Sequence, residues 1–341
     1  MVPGLEQPLS QGLVYSTWPL DGSDARVSER RARKIYAARY WSSWLGVGLL
    51  RCIACLPFPW ALAVGDLLGR LSYYLVPYRR RVVEANLALC LPDLNVAERA
   101  ALVRQNLRFT GRGLVEVGIA WWGNPTLIHR LGHFEGLEYL AQALSEGRGV
   151  ILLGAHFTPL ELTGRIMLTQ IPFQVIYREH RNPVIEHCMR ENRRRHYERI
   201  VWRRDLRSLV RALRERRVIW YPPDQDYGRP HSVFAPFFGI PAATLTATAR
   251  LVRLTGAAVI PIYGTARKSG DGYTIRLYPP LWDFPSGDDK QDATRLNAVL
   301  ETAIRRHPEQ YYWVHRRFKT RPDGALGPYP IRRRKRLRHK P

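Results

Sequence analysis

Short apolar runs alternate with amphipathic segments along the second half of the chain. The apolar runs predict β-strands at 149–154, 173–177, 218–221, 257–263, 273–278 and 310–314. Apolar residues at helical spacing predict helices at 159–169, 183–198, 205–216, 244–255 and 290–306. Strands that alternate with helices in this way indicate an α/β fold, in which helices cover both faces of a mostly parallel sheet.

The first half of the chain has a different pattern. Residues 81–121 predict helices, and an apolar region from Trp41 to Val76 precedes them. Charged residues and prolines interrupt this region, whereas a simple spanning helix needs about 20 apolar residues without breaks, and a single span stays open as an alternative. Aromatic side chains at its margins are typical of a membrane interface. We expect a membrane-associated helix that lies in the interface or a hairpin broken by proline, and the alternative is an ordinary buried helix pair.

The charge narrows the range of partners. The 341 residues include 53 Lys and Arg against 29 Asp and Glu, a formal net charge of +24. Residues 178–217 hold 14 arginines and six acids, and residues 310–341 hold 11 basic residues and one acid. Such a surplus favours nucleic acid, anionic lipid, phosphorylated substrates or an acidic carrier protein. No zinc-finger, helix-turn-helix or RNA-recognition motif is present, which disfavours nucleic acid.

One short segment carries candidate chemistry directly after the first predicted strand of the second half. It reads Gly-Ala-His-Phe-Thr-Pro-Leu-Glu and places His156 at the carboxyl end of that strand, five residues before Glu161. Pro159 breaks helical geometry at Thr158, so we expect Thr158 to cap a helix in which Glu161 is the third residue. Glu161 then has a purely structural role open to it, because Thr158 and Glu161 have the spacing of a capping box.

The functional alternative is a dyad of His156 and Glu161. An imidazole is a competent general base near neutral pH. A carboxylate on its second nitrogen would fix the tautomer and stabilise the imidazolium. Such a base would take a proton from a bound hydroxyl, which then attacks an ester or thioester. No G-x-S-x-G motif is present, which disfavours a serine hydrolase.

Two further segments follow predicted strands. Arg178 and Arg181 come after the strand that ends at Tyr177, and they could hold a phosphate or carboxylate or could simply be solvated. Asp224 and Asp226 come after the strand at 218–221. Without a third clear carboxylate, these acids are expected to orient hydroxyls or arginines, and no metal is expected.

The order of these motifs resembles one known family, the late lipid A acyltransferases of Gram-negative bacteria, and the lauroyl type in particular. The resemblance covers about residues 35–324. Its motifs are His156 with Glu161; Tyr177-Arg178 with Arg181-Asn182-Pro183; Asp224-Gln225-Asp226-Tyr227-Gly228; the segments 232–238 and 241–244; 308–311 with 313–322; Arg39-Tyr40-Trp41; Asn86-Leu87; and Cys90-Leu91-Pro92. The Thr158-Pro159 pair and the basic tail depart from the family's usual pattern.

The resemblance implies transfer of a fatty acyl chain from acyl carrier protein to a hydroxyl of Kdo-lipid IVA, without an acyl-enzyme, metal or cofactor. His156 would be the base and Glu161 its partner, while Arg178, Arg181, Asp224 and Asp226 would line the substrate site. It also implies an α/β/α sandwich of the glycerolipid-acyltransferase type, at the cytoplasmic face of the bacterial inner membrane. The alternatives are a relative that acylates another glycolipid or aminolipid and a non-enzymatic basic protein of the membrane surface.

The expected organisation has four parts. Residues 1–35 form a polar N-terminal segment, and residues 36–80 form a membrane-associated apolar helical segment. Residues 81–324 form the acyltransferase domain. Residues 325–341 form a basic tail, which we expect to be disordered and able to lie on anionic lipid.

Overall fold

A computed structural model describes residues 35–197, 199–202 and 205–330. The predictions for most of the polar N-terminal segment and for the basic end of the tail lie outside these residues. The predicted boundary at residue 324 falls in an irregular segment that continues to residue 330. The division into four parts stays a prediction.

A seven-stranded sheet forms the centre of the fold. In chain order its strands are β1 (Gly132–Glu135), β2 (Val150–Leu153), β3 (Gln174–Tyr177), β4 (Arg199–Trp202), β5 (Val218–Tyr221), β8 (Ala258–Ala266) and β9 (Tyr273–Leu277). Their spatial order is β1-β9-β8-β2-β5-β3-β4. All neighbouring strands are parallel except the antiparallel pair β8 and β9. The carboxyl ends of β2, β5, β3 and β4 therefore meet at one edge of the sheet.

Helices cover both faces of this sheet. They are α1 (Trp41–Ala54), α2 (Phe58–Leu75), α3 (Pro77–Cys90), α4 (Val96–Trp122), α5 (Pro125–Arg130), α6 (Leu137–Ser145), α7 (Leu160–Met167), α8 (Pro183–His196), α9 (Leu206–Arg214), α10 (Ala247–Thr255) and α11 (Asp289–Arg306). Two short 3₁₀ turns occur at Ala38–Tyr40 and Pro308–Gln310.

Alternation along β2 shows how the two faces are filled. Val150 and Leu152 pack into a core with side chains from α1, α4, α7 and α8. Ile151 and Leu153 pack into a second core with side chains from α9, α10 and α11. Because successive side chains of a strand point to opposite faces, these cores lie on opposite sides of the sheet. The predicted α/β/α sandwich is confirmed.

The structure differs from the sequence prediction in several elements. Strands β6 (Ser232–Phe237) and β7 (Ile240–Leu245) form an antiparallel hairpin that was not predicted, and β7 takes the first residues assigned to the helix at 244–255. The elements β1, α6 and β4 were also missed. The predicted strand at 310–314 is wrong, because that segment contains the end of a 3₁₀ turn and a single bridge between Tyr311 and Phe157.

The apolar region near the N-terminus forms two helices, α1 and α2, which are separated at Pro57. Among the residues that the structure describes, no helix has both the length and the hydropathy needed to cross a bilayer. Large apolar side chains of both helices are exposed, including Trp41 at 67% and Trp60 at 70%. The alternative of an ordinary buried helix pair does not fit these exposed faces, and the two helices are separated at a proline, as the sequence indicated. Association of the pair with a membrane stays a prediction.

Helix α4 connects these N-terminal helices to the sheet. Gly65 and Gly69 of α2 lie against the backbone of α4 at Gly111 and Arg112, so closely that a Cβ atom on Gly111 would lie 2.4 Å from the backbone of α2. Asp66 pairs with Arg112 across the same contact. Farther along α4, a Cβ atom on Gly113 would lie 2.5 Å from the carbonyl oxygen of Thr158. One helix thus touches both the N-terminal helices and the loop that follows β2.

A buried carboxyl group of α4 has an unusual environment. The side chain of Glu116 accepts a hydrogen bond of 2.6 Å from the hydroxyl of Tyr273 on β9, and its second oxygen has no partner among the described residues. Burial raises the pKa of Glu116 to about 7, against the opposing effects of the Tyr273 hydrogen bond and the Arg112 charge. Glu116 is thus a buried acid that is easily neutralised.

Candidate active site

The loop after β2 carries His156, and backbone contacts with the segment after α11 hold it in place. The N–H of Thr158 donates to the carbonyl of Gln310 at 2.7 Å, and the N–H of Tyr312 donates to the carbonyl of His156 at 2.9 Å. Gly154 allows the loop to leave the strand beside Trp220, because a Cβ atom there would lie 2.2 Å from the indole. These two hydrogen bonds hold the backbone at His156 and at Thr158, and so they fix the position from which the imidazole extends.

Asp224 lies directly beside this histidine. It follows β5, the neighbour of β2, and its side chain is buried. Its Oδ1 lies 2.6 Å from Nδ1 of His156, and its Oδ2 accepts hydrogen bonds from the His156 backbone N–H at 2.8 Å and from the Tyr311 hydroxyl at 3.0 Å. One carboxylate therefore orients both the ring and the backbone of His156.

The charge of Asp224 determines which nitrogen of His156 carries the proton. Burial by itself raises the pKa of Asp224, but attraction to His156 and the surrounding hydrogen bonds outweigh it and lower the pKa to about 2. An ionised carboxylate only accepts hydrogen bonds, so Nδ1 must be the donor. The lone pair of the neutral ring is then on Nε2, for which no hydrogen-bond partner occurs among the described residues, and the side chain remains 21% exposed.

Glu161 lies elsewhere, and the expectation that it binds the imidazole of His156 is corrected. Its carboxylate forms a bidentate pair with Arg193 of α8, at 3.0 Å from Nε and 2.6 Å from Nη2, and also accepts from Trp121 Nε1 at 3.2 Å. The planar guanidinium matches both carboxylate oxygens, which explains why this contact prevails. A catalytic role for Glu161 stays a prediction, and it would act through Arg193 rather than through the ring.

The alternative role of Glu161 as a capping residue is also wrong. Helix α7 begins at Leu160, its N-cap is Pro159, and no side chain within the described part of the chain caps it. The N–H of Thr158 donates to Gln310 instead. The contact with Arg193 also keeps Glu161 ionised. Burial would raise the pKa of Glu161, but the charge and hydrogen bonds of Arg193 outweigh burial and lower the pKa below its usual value. Glu161 and Arg193 form a buried ion pair.

A pocket lies beside the His156 loop, between the sheet and helix α7. Apolar side chains form most of its wall, and the Glu161–Arg193 pair forms its polar part. Its lining residues are Ala155, Phe157, Leu160, Glu161, Thr163, Gly164, Met167, Phe173, Val175, Arg193, Tyr197, Trp220, Ile262 and Gly264. Its free volume is about 30 Å³, room for about one or two water molecules, so only the character of its lining, apolar with a few fixed polar groups, resembles a small-molecule site.

Asp226 occupies a structural position. Its carboxylate accepts hydrogen bonds from the N–H and hydroxyl of Thr320 and from the N–H of Gly228, all at 2.8 to 2.9 Å. Its own N–H donates to Nε2 of His315, a ring whose pKa burial lowers to about 4. These contacts tie the loop after β5 to the segment after α11, so Asp226 supports the loop of Asp224. Its assignment to a substrate site stays a prediction.

Arg178 and Arg181 follow β3 at the same edge of the sheet as His156. Both are exposed, and neither takes part in the His156–Asp224 contact or in the Glu161–Arg193 pair. Their assignment to the substrate also stays a prediction. The arginine that the structure brings to the pocket is Arg193, and nothing in the sequence distinguishes it from Arg194 and Arg195 beside it. Tyr311 was noted only as part of a motif.

Comparison with known proteins identifies the family of this chain. The family model described as bacterial lipid A biosynthesis acyltransferase matches residues 29–320. The lipid A biosynthesis lauroyltransferase of Escherichia coli K12 is 38% identical over 85% of this chain and 95% of its own length. The lipid A biosynthesis palmitoleoyltransferase of the same strain is 37% identical over 87% of this chain and 97% of its own.

Among solved structures, a 1-acyl-sn-glycerophosphate acyltransferase from Thermotoga maritima matches 73% of this chain and 99% of its own, with 14% identity and a TM-score of 0.34. The two relatives span most of the chain, and the range matched by the family model includes every residue of the site described above. The chain is therefore an acyltransferase and belongs to the bacterial lipid A biosynthesis acyltransferase family.

Proposed function

We propose that this enzyme transfers a fatty acyl chain from an acyl carrier protein thioester to a hydroxyl of the lipid A precursor Kdo-lipid IVA, with His156 as the general base. The observation that carries the proposal is the contact of His156 Nδ1 with the buried carboxylate of Asp224, which leaves Nε2 as the basic nitrogen. Both residues stand at the carboxyl edge of the sheet, where α/β proteins place their reactive groups.

The reaction follows from this arrangement. Nε2 of His156 takes the proton of the acceptor hydroxyl as its oxygen attacks the thioester carbonyl carbon. Asp224, ionised and bound to Nδ1, stabilises the imidazolium that forms. When the tetrahedral intermediate collapses, the C–S bond breaks and the imidazolium returns its proton to the leaving thiolate. The products are an ester and a free thiol, and no bond forms between the acyl group and the enzyme.

We place the acyl chain in the apolar pocket beside the loop, which must widen to take it because its free volume is about 30 Å³. Its wall contains Leu160, Met167 and Phe173, whose side chains offer apolar contact to methylene groups. The Glu161–Arg193 pair would then act as a fixed polar wall that orients the chain and its carbonyl. In this role Glu161 is a positioning residue that holds Arg193.

The exposed faces of α1 and α2 suit a membrane surface. Trp41, Leu45 and Leu49 of α1 and Trp60 and Leu67 of α2 are all more than half exposed. Such side chains bury apolar area when they enter the headgroup region of a bilayer. We propose that the helix pair lies on the cytoplasmic face of the inner membrane, where a lipid acceptor would reach His156.

A mass-spectrometric assay tests the proposal. The purified protein, in membranes that contain Kdo-lipid IVA, is given a panel of acyl carrier protein thioesters. The acceptor should gain the mass of one acyl chain, and His156→Ala should lower the turnover by roughly 10²- to 10⁴-fold. His133→Ala, which changes an exposed histidine of β1, is the matched control and should retain full turnover.

Two outcomes would contradict the proposal. Full turnover in the His156→Ala variant would remove the histidine from the chemistry. The second outcome is that Kdo-lipid IVA gains no mass with any donor, whereas another glycolipid or an aminolipid is acylated. The acyltransferase mechanism would then stand, but the acceptor would be a different lipid.

A further inference from the structure

A groove runs between α9 and α10, on the opposite face of the sheet from the helices that pack around the candidate active site. Apolar side chains of both helices form its floor: Leu206, Val210 and Leu254. Arginines of α9 form its rim, and one acid, Glu215, closes it at the far end. The groove is open to solvent, so it has the shape and chemistry of a site for an elongated amphipathic partner.

The arginines of this rim share one side of a helix. Arg207, Arg211 and Arg214 occur at spacings of four and three residues, which places them on one face of α9. All three are exposed. Arg214 donates to the carbonyl of Leu254 at 3.2 Å, and none of the three forms an ion pair with a carboxylate of the described residues. Other arginines are paired, as Arg193 is with Glu161. The rim therefore presents three positive charges to an external partner.

The groove begins at the edge of the sheet that carries the chemistry. The N–H of Asp205 donates to the carbonyl of Trp202, the last residue of β4, at 2.8 Å, and α9 starts at the next residue. Strand β4 lies three positions from β2 in the sheet. At about 4.8 Å between neighbouring strands, β4 lies about 14 Å from β2, the strand that precedes the His156 loop.

Arg178 and Arg181 lie between the start of the groove, near β4, and the loop of His156. They follow β3, which separates β4 from β5 and β2 in the sheet, and both are exposed. An acyl group on a flexible phosphate-containing arm could therefore leave the groove near Leu206, pass these arginines and reach the pocket. Arginine suits such a phosphate because its guanidinium donates two parallel hydrogen bonds.

We infer that this groove, defined by α9 and α10, docks an acidic amphipathic helix of the carrier protein that brings the acyl thioester. The inference rests on the proposed function. Charge complementarity identifies the partner, because an arginine rim beside an apolar floor matches a helix with carboxylates around an apolar stripe. The groove also lies across the sheet from α1, whose exposed apolar face is the proposed membrane contact, so a soluble partner can approach it while the enzyme is on a bilayer.

Charge reversal tests the inference. In the double variant Arg207→Glu/Arg211→Glu, the KM for the carrier thioester should rise roughly 10- to 100-fold, since two attractive contacts become repulsive. Turnover with the same acyl group on a small pantetheine thioester, which has no carrier helix, should be unchanged. The matched control Arg104→Glu/Arg130→Glu removes the same charge from exposed arginines of α4 and α5 and should leave both values unchanged.

Direct titration of the carrier protein separates this inference from the proposed function. Affinity for the carrier without its acyl group should fall in the groove variant and persist in the control, whether or not any acceptor is acylated. An equal loss of carrier affinity in the groove variant and the control variant would mean that net charge, rather than the groove, explains the effect. If the groove variant instead loses only its binding to vesicles of anionic lipid, with carrier affinity intact, the groove contacts lipid and the inference is overturned.

Discussion

Asp224 and Glu116 are both buried carboxyl groups, yet burial leads to opposite results. Asp224 faces the imidazole and backbone N–H of His156 and the hydroxyl of Tyr311, and its pKa is lowered to about 2. Glu116 accepts a hydrogen bond from Tyr273, its only one from the residues that the structure describes, and its pKa is raised to about 7. Both groups lose hydration, so the difference comes from what replaces the water.

The comparison shows why the carboxyl edge of the sheet suits an ionised acid. There the loop after β5 lies beside the loop after β2, so a carboxylate in it accepts hydrogen bonds from both backbone and side-chain donors. Glu116 lies within the packed interface of α4 and β9, where few donors are available. The environment of Glu161 lies between these two cases. Like Glu116 it is buried in packed structure, but like Asp224 it stays ionised, because the guanidinium of Arg193 lies beside it.

The largest effect is expected from Asp224→Asn, which removes the charge and keeps the shape. The two oxygens of Asp224 accept from different donors of His156, and an amide has only one acceptor oxygen. If that oxygen faces the backbone N–H, the amide NH₂ donates to Nδ1 and the ring proton moves to Nε2, which then cannot act as a base. Turnover should fall about 10³- to 10⁴-fold in the acyl-transfer assay.

Tyr311→Phe is the control for this prediction, because it removes one neutral donor to Asp224 without changing the charge. It should lower turnover about tenfold or less. Thermal unfolding should confirm that both variants fold. Equal turnover of the Asn variant and the natural enzyme, with the usual dependence on pH, would mean that Asp224 only supports the loop.

The next effect is expected when Glu161 loses its cation. Arg193→Met keeps most of the volume but leaves a buried carboxylate without its partner, which should lower the free energy of unfolding by about 3 to 5 kcal/mol. The pKa of Glu161 should then rise, so that this group resembles Glu116. Urea unfolding at pH 7 measures the loss.

The double variant Arg193→Met/Glu161→Leu sharpens this test. It removes both charges and should regain most of the stability, because a well-packed apolar pair often replaces a buried ion pair without cost. Activity should remain low in the double variant if the pair orients the acyl chain. A double variant as unstable as the single one would show that packing rather than charge explains the loss.

The smallest effect concerns Glu116. Its pKa is raised in the folded protein, so its contribution to stability is complete below the pKa of the unfolded chain, near 4.5, and is lost as the pH rises through about 7. Glu116→Gln removes this titration. The variant should match the natural protein near pH 5 and exceed it by about 2 to 3 kcal/mol at pH 8.

Urea unfolding across this pH range tests the prediction, and Glu138→Gln, at an exposed position of α6, is the control. Because other titrating groups occur in both proteins, the difference between the two stability curves isolates Glu116. A difference that does not depend on pH would mean that the pKa of Glu116 is the same in the folded and the unfolded chain.

The sequence predicted the strands of the main sheet better than the hairpin of β6 and β7. Buried parallel strands are short apolar runs, which are easily recognised, whereas β6 and β7 each contain a proline. Pro236 and Pro241 face each other in the hairpin. The two-residue turn at Phe238-Gly239 has positive φ at both residues, 51° and 75°, and a phenylalanine is an uncommon residue for that conformation.

For the site, the sequence located His156 and the two acids after β5 but assigned His156 the wrong partner. Glu161 is near His156 in the chain, whereas Asp224 is near it only because β5 is the neighbour of β2 in the sheet. Local motifs do not contain strand order, and so they cannot identify such a contact. Arg193 was missed for a similar reason, since a run of arginines does not show which one faces inward.

The glycine contacts of α4 have a consequence for the choice of acceptor. Gly111 touches α2, and Gly113, two residues later, touches the loop of His156. The imidazole is thus held at a constant height relative to the exposed Trp60 on α2. On a bilayer, this constant spacing would set how far above the acyl chains an acceptor's hydroxyl must stand to reach His156. A molecule with the right hydroxyl at the wrong depth would be rejected without any contact that recognises its chemistry.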